Sequence, residues 1–335
     1  MKHFTIPSKA SFAYLFHIIP QATHITSYPT QFLIELERCD DNKFAELLQT
    51  LPAYVGDFDI GYLNGVSWFD IHARRLSPDP PTMDGVFDDT NYLSEENGRS
   101  LRPGCLLECK GWKDENGKVH DSYVCNAGVL IEKEGEQRFT TAAHVWKAVD
   151  RKAVYHAGRS IGWVEGETIG EDIALVKSPF KFSNDFLDIP TSAKELRESN
   201  RFQAGDLFWI DSAFTGRQEL CLHGVRAGKS HSPKDWRGPT ADYDYIIFQQ
   251  GVCSVKESKI TKSPMIREGV CGTPLVWAGR RKRNQERESK LDEGVIGGFM
   301  LYTDVVIPNV LRPNMLYCYC QTVDDLISKG WKIAK

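Results

Sequence analysis

The spacing of apolar residues changes character near residue 100. Ahead of that point, Gln31-Phe32-Leu33-Ile34-Glu35-Leu36 alternates as a half-buried strand does. Asp40 and Asp41 then supply a helix start for Phe44, Leu47, Leu48 and Leu51, spaced i, i+3, i+4, i+7. Residues 66–71 read as a further strand, and Ser77-Pro78-Asp79-Pro80-Pro81 opens a breaker-rich polar stretch running to about Pro103. This pattern predicts a small α+β region over 1–75 and a connecting segment over 76–103. From Gly104 onward, short apolar runs are separated by glycines and charged turns. Residues 123–131 and 138–143 flank a Glu134-Gly135-Glu136 turn. Further runs fall at 161–164, 173–176, 207–210, 220–225, 245–248, 274–277 and 295–302. So many short strands at this spacing predict a mainly β sandwich or barrel. One helix closes the pattern, with Thr322 as its cap and Val323, Leu326 and Ile327 on one side.

Composition narrows the function classes. A chain of 335 residues is long enough for two domains of about 150 residues. Hydrophobic residues at 41% and charged residues at 26% are those of an ordinary globular protein. Lys+Arg 41 against Asp+Glu 45 leaves a net charge of −4, which argues against a general nucleic-acid or anionic-membrane binder. No apolar run approaches the ~18 residues of a membrane span. The apolar patch at 12–19 is short, contains His17 and lacks a small-x-small cleavage site, so it does not read as a secretory leader. Nine cysteines cannot all pair within one chain and are too sparse for a disulfide scaffold, which points to an intracellular, cytoplasmic setting with free thiols. The charge run at 279–288 is closely followed by Asp292 and Glu293 and reads as a solvated loop between strands. Cys105, Cys109, Cys125, Cys318 and Cys320 lack the spacing of structural zinc sites and read as buried thiols.

Three segments carry chemistry. Thr140-Thr141-Ala142-Ala143-His144 puts a histidine just past a strand. Asp172-Ile173-Ala174-Leu175-Val176 puts an aspartate at the head of a very apolar one. Gly269-Val270-Cys271-Gly272-Thr273-Pro274-Leu275-Val276 puts a cysteine in a glycine-flanked turn before another strand. Singly, each is an ordinary structural feature. Together, histidine, aspartate and nucleophile follow one of the known chain orders of a catalytic triad.

These blocks resemble the three signature blocks of the chymotrypsin-like peptidases, the third of which normally reads Gly-Asp-Ser-Gly-Gly-Pro-Leu-Val. The surrounding runs Gly128-Val129-Leu130-Ile131 and Gly294-Val295-Ile296-Gly297-Gly298 agree, as does the terminal strand and helix over 316–331. The resemblance covers 104–335. It implies a two-barrel chymotrypsin-like fold with barrel one at about 104–180, barrel two at about 204–320 and a closing helix at about 322–330. It also implies His144 as general base, Asp172 as its orienter and Cys271 as nucleophile, with an oxyanion hole at the N–H groups of Gly269 and Cys271. The partner implied is a polypeptide substrate. No cofactor or metal is implied, and the oligomeric state is left open.

Two departures stand out. Cysteine replaces serine and Val270 replaces the preceding aspartate, so activation by a freed N-terminus is not expected. A cysteine on this fold is similar to viral chymotrypsin-like cysteine proteases. Thr273 stands where the block has a second glycine. Met265 lies six residues before Cys271, at the position of the trypsin-type pocket floor, and the segment Gly298-Phe299-Met300 lacks the histidine of glutamine-reading viral enzymes. An apolar S1 pocket around Met265, Phe299 and Met300 is therefore expected, with medium or large apolar P1 residues preferred. The alternative is a catalytically inactive homologue that serves as a protein-binding module.

Overall fold

The tightest local signal is the Glu134-Gly135 hairpin. Both residues have positive φ, +52° and +82°, the conformation of a type I′ turn, whose twist matches that of the strands it joins. It links two long strands and starts the first of two barrels. The computed structural model describes residues 7, 9–28, 31–65, 83, 86–113, 117–146, 149, 152–170, 172–229, 241–250, 266, 269–280, 290–304 and 317–335. The expected strand at 66–71, the breakers at 77–81, Met265 and residues 281–288 of the charge run lie outside them.

The chain opens with α1 (Lys9–Ile18), β1 (Ala22–Ser27), β2 (Gln31–Leu36), α2 (Asp41–Leu48), β3 (Tyr54–Val55) and β4 (Phe58–Asn64). Asp40 caps α2 as the sequence predicts, its side chain accepting from the Lys43 N–H at 2.9 Å. After β5 (Ser100–Leu101) come β6 (Leu106–Lys113), β7 (Val119–Lys133), β8 (Glu136–Ala142), β9 (Ala153–His156), β10 (Arg159–Ile169) and β11 (Ile173–Lys177). These last six pair in the order β7-β6-β9-β10-β11-β8, and β8 returns to β7, closing a barrel. β12 (Lys181–Phe182) pairs with β5, and β13 (Glu195–Leu196) runs beside the second barrel.

The second barrel comprises β14 (Asp206–Ser212), β15 (Gly216–Lys229), β16 (Ala241–Gln250), β17 (Pro274–Arg280), β18 (Val295–Asp304) and β19 (Tyr317–Thr322). Their order is β14-β17-β18-β19-β16-β15, closed by β14 pairing with β15. Closure removes the open edges that a flat antiparallel sheet would expose. Two closed six-stranded barrels with a short terminal helix make the fold mainly β and chymotrypsin-like, as expected. The helix, α3 (Asp324–Ser328), is shorter than predicted, with Val323 at the cap position and the Thr322 hydroxyl accepting from the Asp324 N–H at 3.4 Å. β20 (Lys332–Ile333) then pairs with β7, bringing the end of the chain back onto barrel one.

Three apolar clusters fill this frame. One fills barrel one, around Phe139, Val145, Trp146 and Ile161. A second lies between the barrels, joining Val129 and Ile173 to Val276, Ile296 and Leu326. The third fills barrel two and also takes in Phe12, Leu15, Phe16 and Ile19 of the N-terminal segment. Residues 22–64 therefore do not stand apart. β1 pairs antiparallel with the far half of β15, and β2, β4 and β3 extend the same sheet outward. Among the described residues, no helix is long and apolar enough to cross a membrane.

Candidate active site

β8 and β11 are hydrogen-bonded neighbours, with Ala142 opposite Ile173. That pairing sets the two residues just outside them, His144 and Asp172, side by side. His144 opens a short 3₁₀ turn anchored by buried Val145 and Trp146. Asp172 grips it twice: Oδ1 accepts the His144 backbone N–H at 2.7 Å, and Oδ2 pairs with Nδ1 at 2.8 Å. An ionised carboxylate can only accept, so Nδ1 carries the proton and Nε2 is left for chemistry. Asp172 is buried while the imidazole remains about a third exposed, at 31%. Burial alone pulls the His144 pKa down. The Asp172 carboxylate outweighs it, aided by Cys271, and holds the imidazole well above its ordinary range.

Cys271 reaches the same place from barrel two. Its turn precedes β17, with Gly269 at φ +95° and Gly272 at φ +85°. A Cβ on Gly272 would lie 2.5 Å from the Asn126 carbonyl oxygen, and one on Gly269 would lie 2.5 Å from the Phe214 ring. Glycine is required at both positions. The thiol is half-buried, donates to the Leu301 carbonyl at 2.8 Å, and lies close enough to the His144 ring to help raise its proton affinity. The three carbonyls of the turn are tied down. Gly269 O accepts from Asn126 Nδ2 at 2.7 Å, Cys271 O from the Asn126 N–H at 2.9 Å, and Val270 O from the Thr273 N–H at 3.1 Å and hydroxyl at 2.6 Å. Among the described residues, the Gly269 and Cys271 N–H groups have no acceptor.

The departures from the signature block have physical explanations here. Val270 is buried in the barrel-two core, an apolar anchor where an aspartate would need an ion partner. Thr273 gives up backbone freedom but supplies the hydroxyl that holds Val270 O.

The structure thus brings His144, Asp172 and Cys271 together. It does not bring Phe299 and Met300 into one pocket. They are successive residues of β18, both buried, and face different cores: Phe299 the inter-barrel cluster, Met300 that of barrel two. Met265 lies outside the described residues. The sequence reading missed two buried amides. Asn126 fixes the nucleophile turn, and Gln321 of β19 accepts the Asp172 N–H at 2.7 Å. Each is a lone amide following apolar or cysteine-rich strand residues, which is the signal that could have found it. Tyr123, edge-on to His144 with ring centroids 5.9 Å apart, was also missed.

Burial pushes the thiols of Cys105 and Cys109 up to about 12, and those of Cys125, Cys318 and Cys320 up as well. These five are buried free thiols, as expected.

No protein-family model and no curated protein matches the chain. Among solved structures it is similar to a glutamic acid specific serine protease, at 15% identity and TM-score 0.39 over 70% of this chain and 100% of that one. It is also similar to a protease from Nocardiopsis, at 13% identity and TM-score 0.41 over 70% and 100%. Protease A of Thermobifida fusca gives 14% and 0.40 over 70% and 99%. Similarity this distant assigns no residue and no substrate, so function must be read from the site's own geometry.

Proposed function

We propose that the chain is a chymotrypsin-like cysteine endopeptidase. The observation that carries this reading is the imidazole of His144, hydrogen-bonded to Asp172 through one nitrogen and within reach of the Cys271 thiol. In the proposed reaction, Cys271 Sγ attacks the scissile carbonyl carbon as its proton passes to His144 Nε2. The carbonyl π pair moves to oxygen, and the N–H groups of Gly269 and Cys271 receive that charge. Collapse re-forms the C=O and breaks the C–N bond, with His144 returning the proton to the leaving amine. Water then attacks the thioester, again giving its proton to His144, and the acid is released with the thiol restored.

An extended substrate has a place to lie. Met300 of β18 is still bonded to the turn, its N–H donating to Thr273 O and its carbonyl accepting the Gly272 N–H, both at 2.8 Å. From Leu301 onward the β18 backbone presents an edge beside Cys271, where a peptide can add as a strand. Leu301 is the apolar residue at that edge and supports an apolar P1 preference, while Phe299 and Met300 are turned into the two cores.

One observation favours a second reading. The thiol proton points at the Leu301 carbonyl, which must lose this contact before Cys271 can act, and an inactive homologue binding protein segments in the same cleft would keep it. Iodoacetamide labelling at neutral pH separates the two. A peptidase labels fastest at Cys271, loses that advantage in His144→Ala, and cleaves library peptides with apolar P1. Uniform labelling, with no cleavage by wild type or Cys271→Ser, supports the binding module. A cleavage profile dominated by Arg, Lys or Gln removes the apolar P1 preference.

A further inference from the structure

We propose that Asn126 is a positioning residue for the oxyanion hole, holding the nucleophile turn of barrel two from a strand of barrel one; this rests on the peptidase reading above. Asn126 lies in β7, fully buried, within Val124-Cys125-Asn126-Ala127-Gly128-Val129. An amide in such a run is costly unless its hydrogen bonds are made, so its partners explain its presence. Nδ2 donates to Gly269 O at 2.7 Å. Oδ1 accepts the Ala213 N–H at 3.1 Å, with the Ser212 hydroxyl at 3.4 Å. The backbone N–H donates to Cys271 O at 2.9 Å, and the backbone carbonyl accepts the Thr141 hydroxyl at 2.9 Å.

These partners dictate the side chain. The Gly269 carbonyl can only accept. The Ala213 N–H, shared with the Gly104 carbonyl at 2.9 Å, and the Ser212 hydroxyl both donate toward the other end. A donor and an acceptor on one short planar group therefore fit the site best. Asparagine has both. A carboxylate would set oxygen against the Gly269 carbonyl oxygen, and serine would not span both partners.

The consequence falls on the turn. Gly269 and Cys271 flank Val270, and Asn126 holds both their carbonyls on the barrel-one side. Thr273 holds the Val270 carbonyl, which aims the N–H of the same peptide, that of Cys271, the opposite way. Without the Nδ2 bond, glycine at φ +95° has little intrinsic barrier to rotating its following peptide. The Gly269 carbonyl can then swing away from barrel one to the side on which the Cys271 N–H points, where its negative end opposes a developing oxyanion.

The test compares wild type with Asn126→Asp, which keeps the volume and the Ala213 acceptor, and with Asn126→Ala. Both are expected to lower kcat about 10- to 100-fold with KM changed less than about threefold. Affinity for a peptide aldehyde, whose addition to the thiol creates a tetrahedral oxygen in the same hole, should fall with kcat. Iodoacetamide alkylation of Cys271 needs no oxyanion hole and should stay within about threefold of wild type. Active variants with unchanged kcat, or a parallel loss of kcat and alkylation, overturn the positioning role. So does failure of both variants to fold, since Asn126 would then serve the fold as a whole. A wild type that cleaves no library peptide instead overturns the peptidase reading, and this proposal with it.

Discussion

His144 is constrained at one ring nitrogen and available at the other. Asp172 fixes both its backbone and its Nδ1, so the ring cannot turn away from Cys271 without losing a 2.8 Å contact to a buried carboxylate. The raised pKa has a consequence for stability. A histidine whose folded value lies above its unfolded value of about 6.5 binds its proton more tightly when folded. The stabilisation is fully present below about 6.5 and is lost as pH rises through the folded value. Asp172→Asn removes the main cause of the raised value. The Tm difference between wild type and Asp172→Asn should therefore be largest near pH 6 and shrink as pH rises, leaving a constant remainder from the lost hydrogen bonds. A difference that grows with pH would show that Asp172 does not hold the imidazolium. Gln321 is expected to act behind this pair: Gln321→Leu frees the buried Asp172 N–H and should cost about 1–3 kcal/mol of stability by chemical denaturation.

At the scale of elements, the turn at 269–272 places two tight demands on the backbone, at Gly269 and Gly272. Gly272 and Gly158 both have positive φ, +85° and +74°, but only Gly272 is crowded, since a Cβ on Gly158 meets nothing within 4 Å. Gly158→Ala should cost about 1 kcal/mol for the backbone conformation alone. Gly272→Ala adds a clash with the Asn126 carbonyl, which should take the loss above about 3 kcal/mol and abolish activity. Equal costs would mean the turn can relax away from barrel one. The same elements show how far sequence reaches. The strands at 123–131, 207–210 and 220–225 are legible because their apolar runs are bounded by glycine or charge, and β2 and α2 because their periods are clear. The three residues of the proposed site are legible because each sits in a short, chemically unusual block. Phe12, Leu15 and Phe16, with Ile19 just beyond the helix, have helical spacing, but the burial of that face of α1 becomes evident only once β16 and the barrel-two core supply the surface it covers. Asn126 is harder still. Its meaning depends on Gly269, which is 143 positions away in the chain and adjacent only after both barrels have closed.

Over the whole molecule, the proposed site is assembled across a seam, with His144 and Asp172 on one barrel and Cys271 on the other, so anything that loosens either barrel acts on the site. The N-terminal segment is tied to barrel two by more than sheet pairing. Glu35 of β2 and Arg226 of β15 form a buried ion pair at 3.1 Å, with side-chain exposures of 3% and 2%. Removing one member strands the other charge out of water, so Glu35→Ala should destabilise the protein by about 3–5 kcal/mol, whereas Glu35→Met with Arg226→Met should recover most of the loss. Deleting residues 1–64 goes further. It uncovers Leu220, Leu222, Val225 and Ala227, which share a core with Phe12, Leu15, Phe16, Ile25 and Ile34. At about 1.5–3 kcal/mol for each large apolar side chain uncovered, the loss approaches the ~5–15 kcal/mol that typically holds a domain together. The truncated chain should therefore lose its cooperative unfolding transition and its peptidase activity together. A truncated chain that unfolds cooperatively and keeps wild-type kcat would show instead that barrel two closes without this cover. The first 64 residues would then be a separable module laid against a complete peptidase unit.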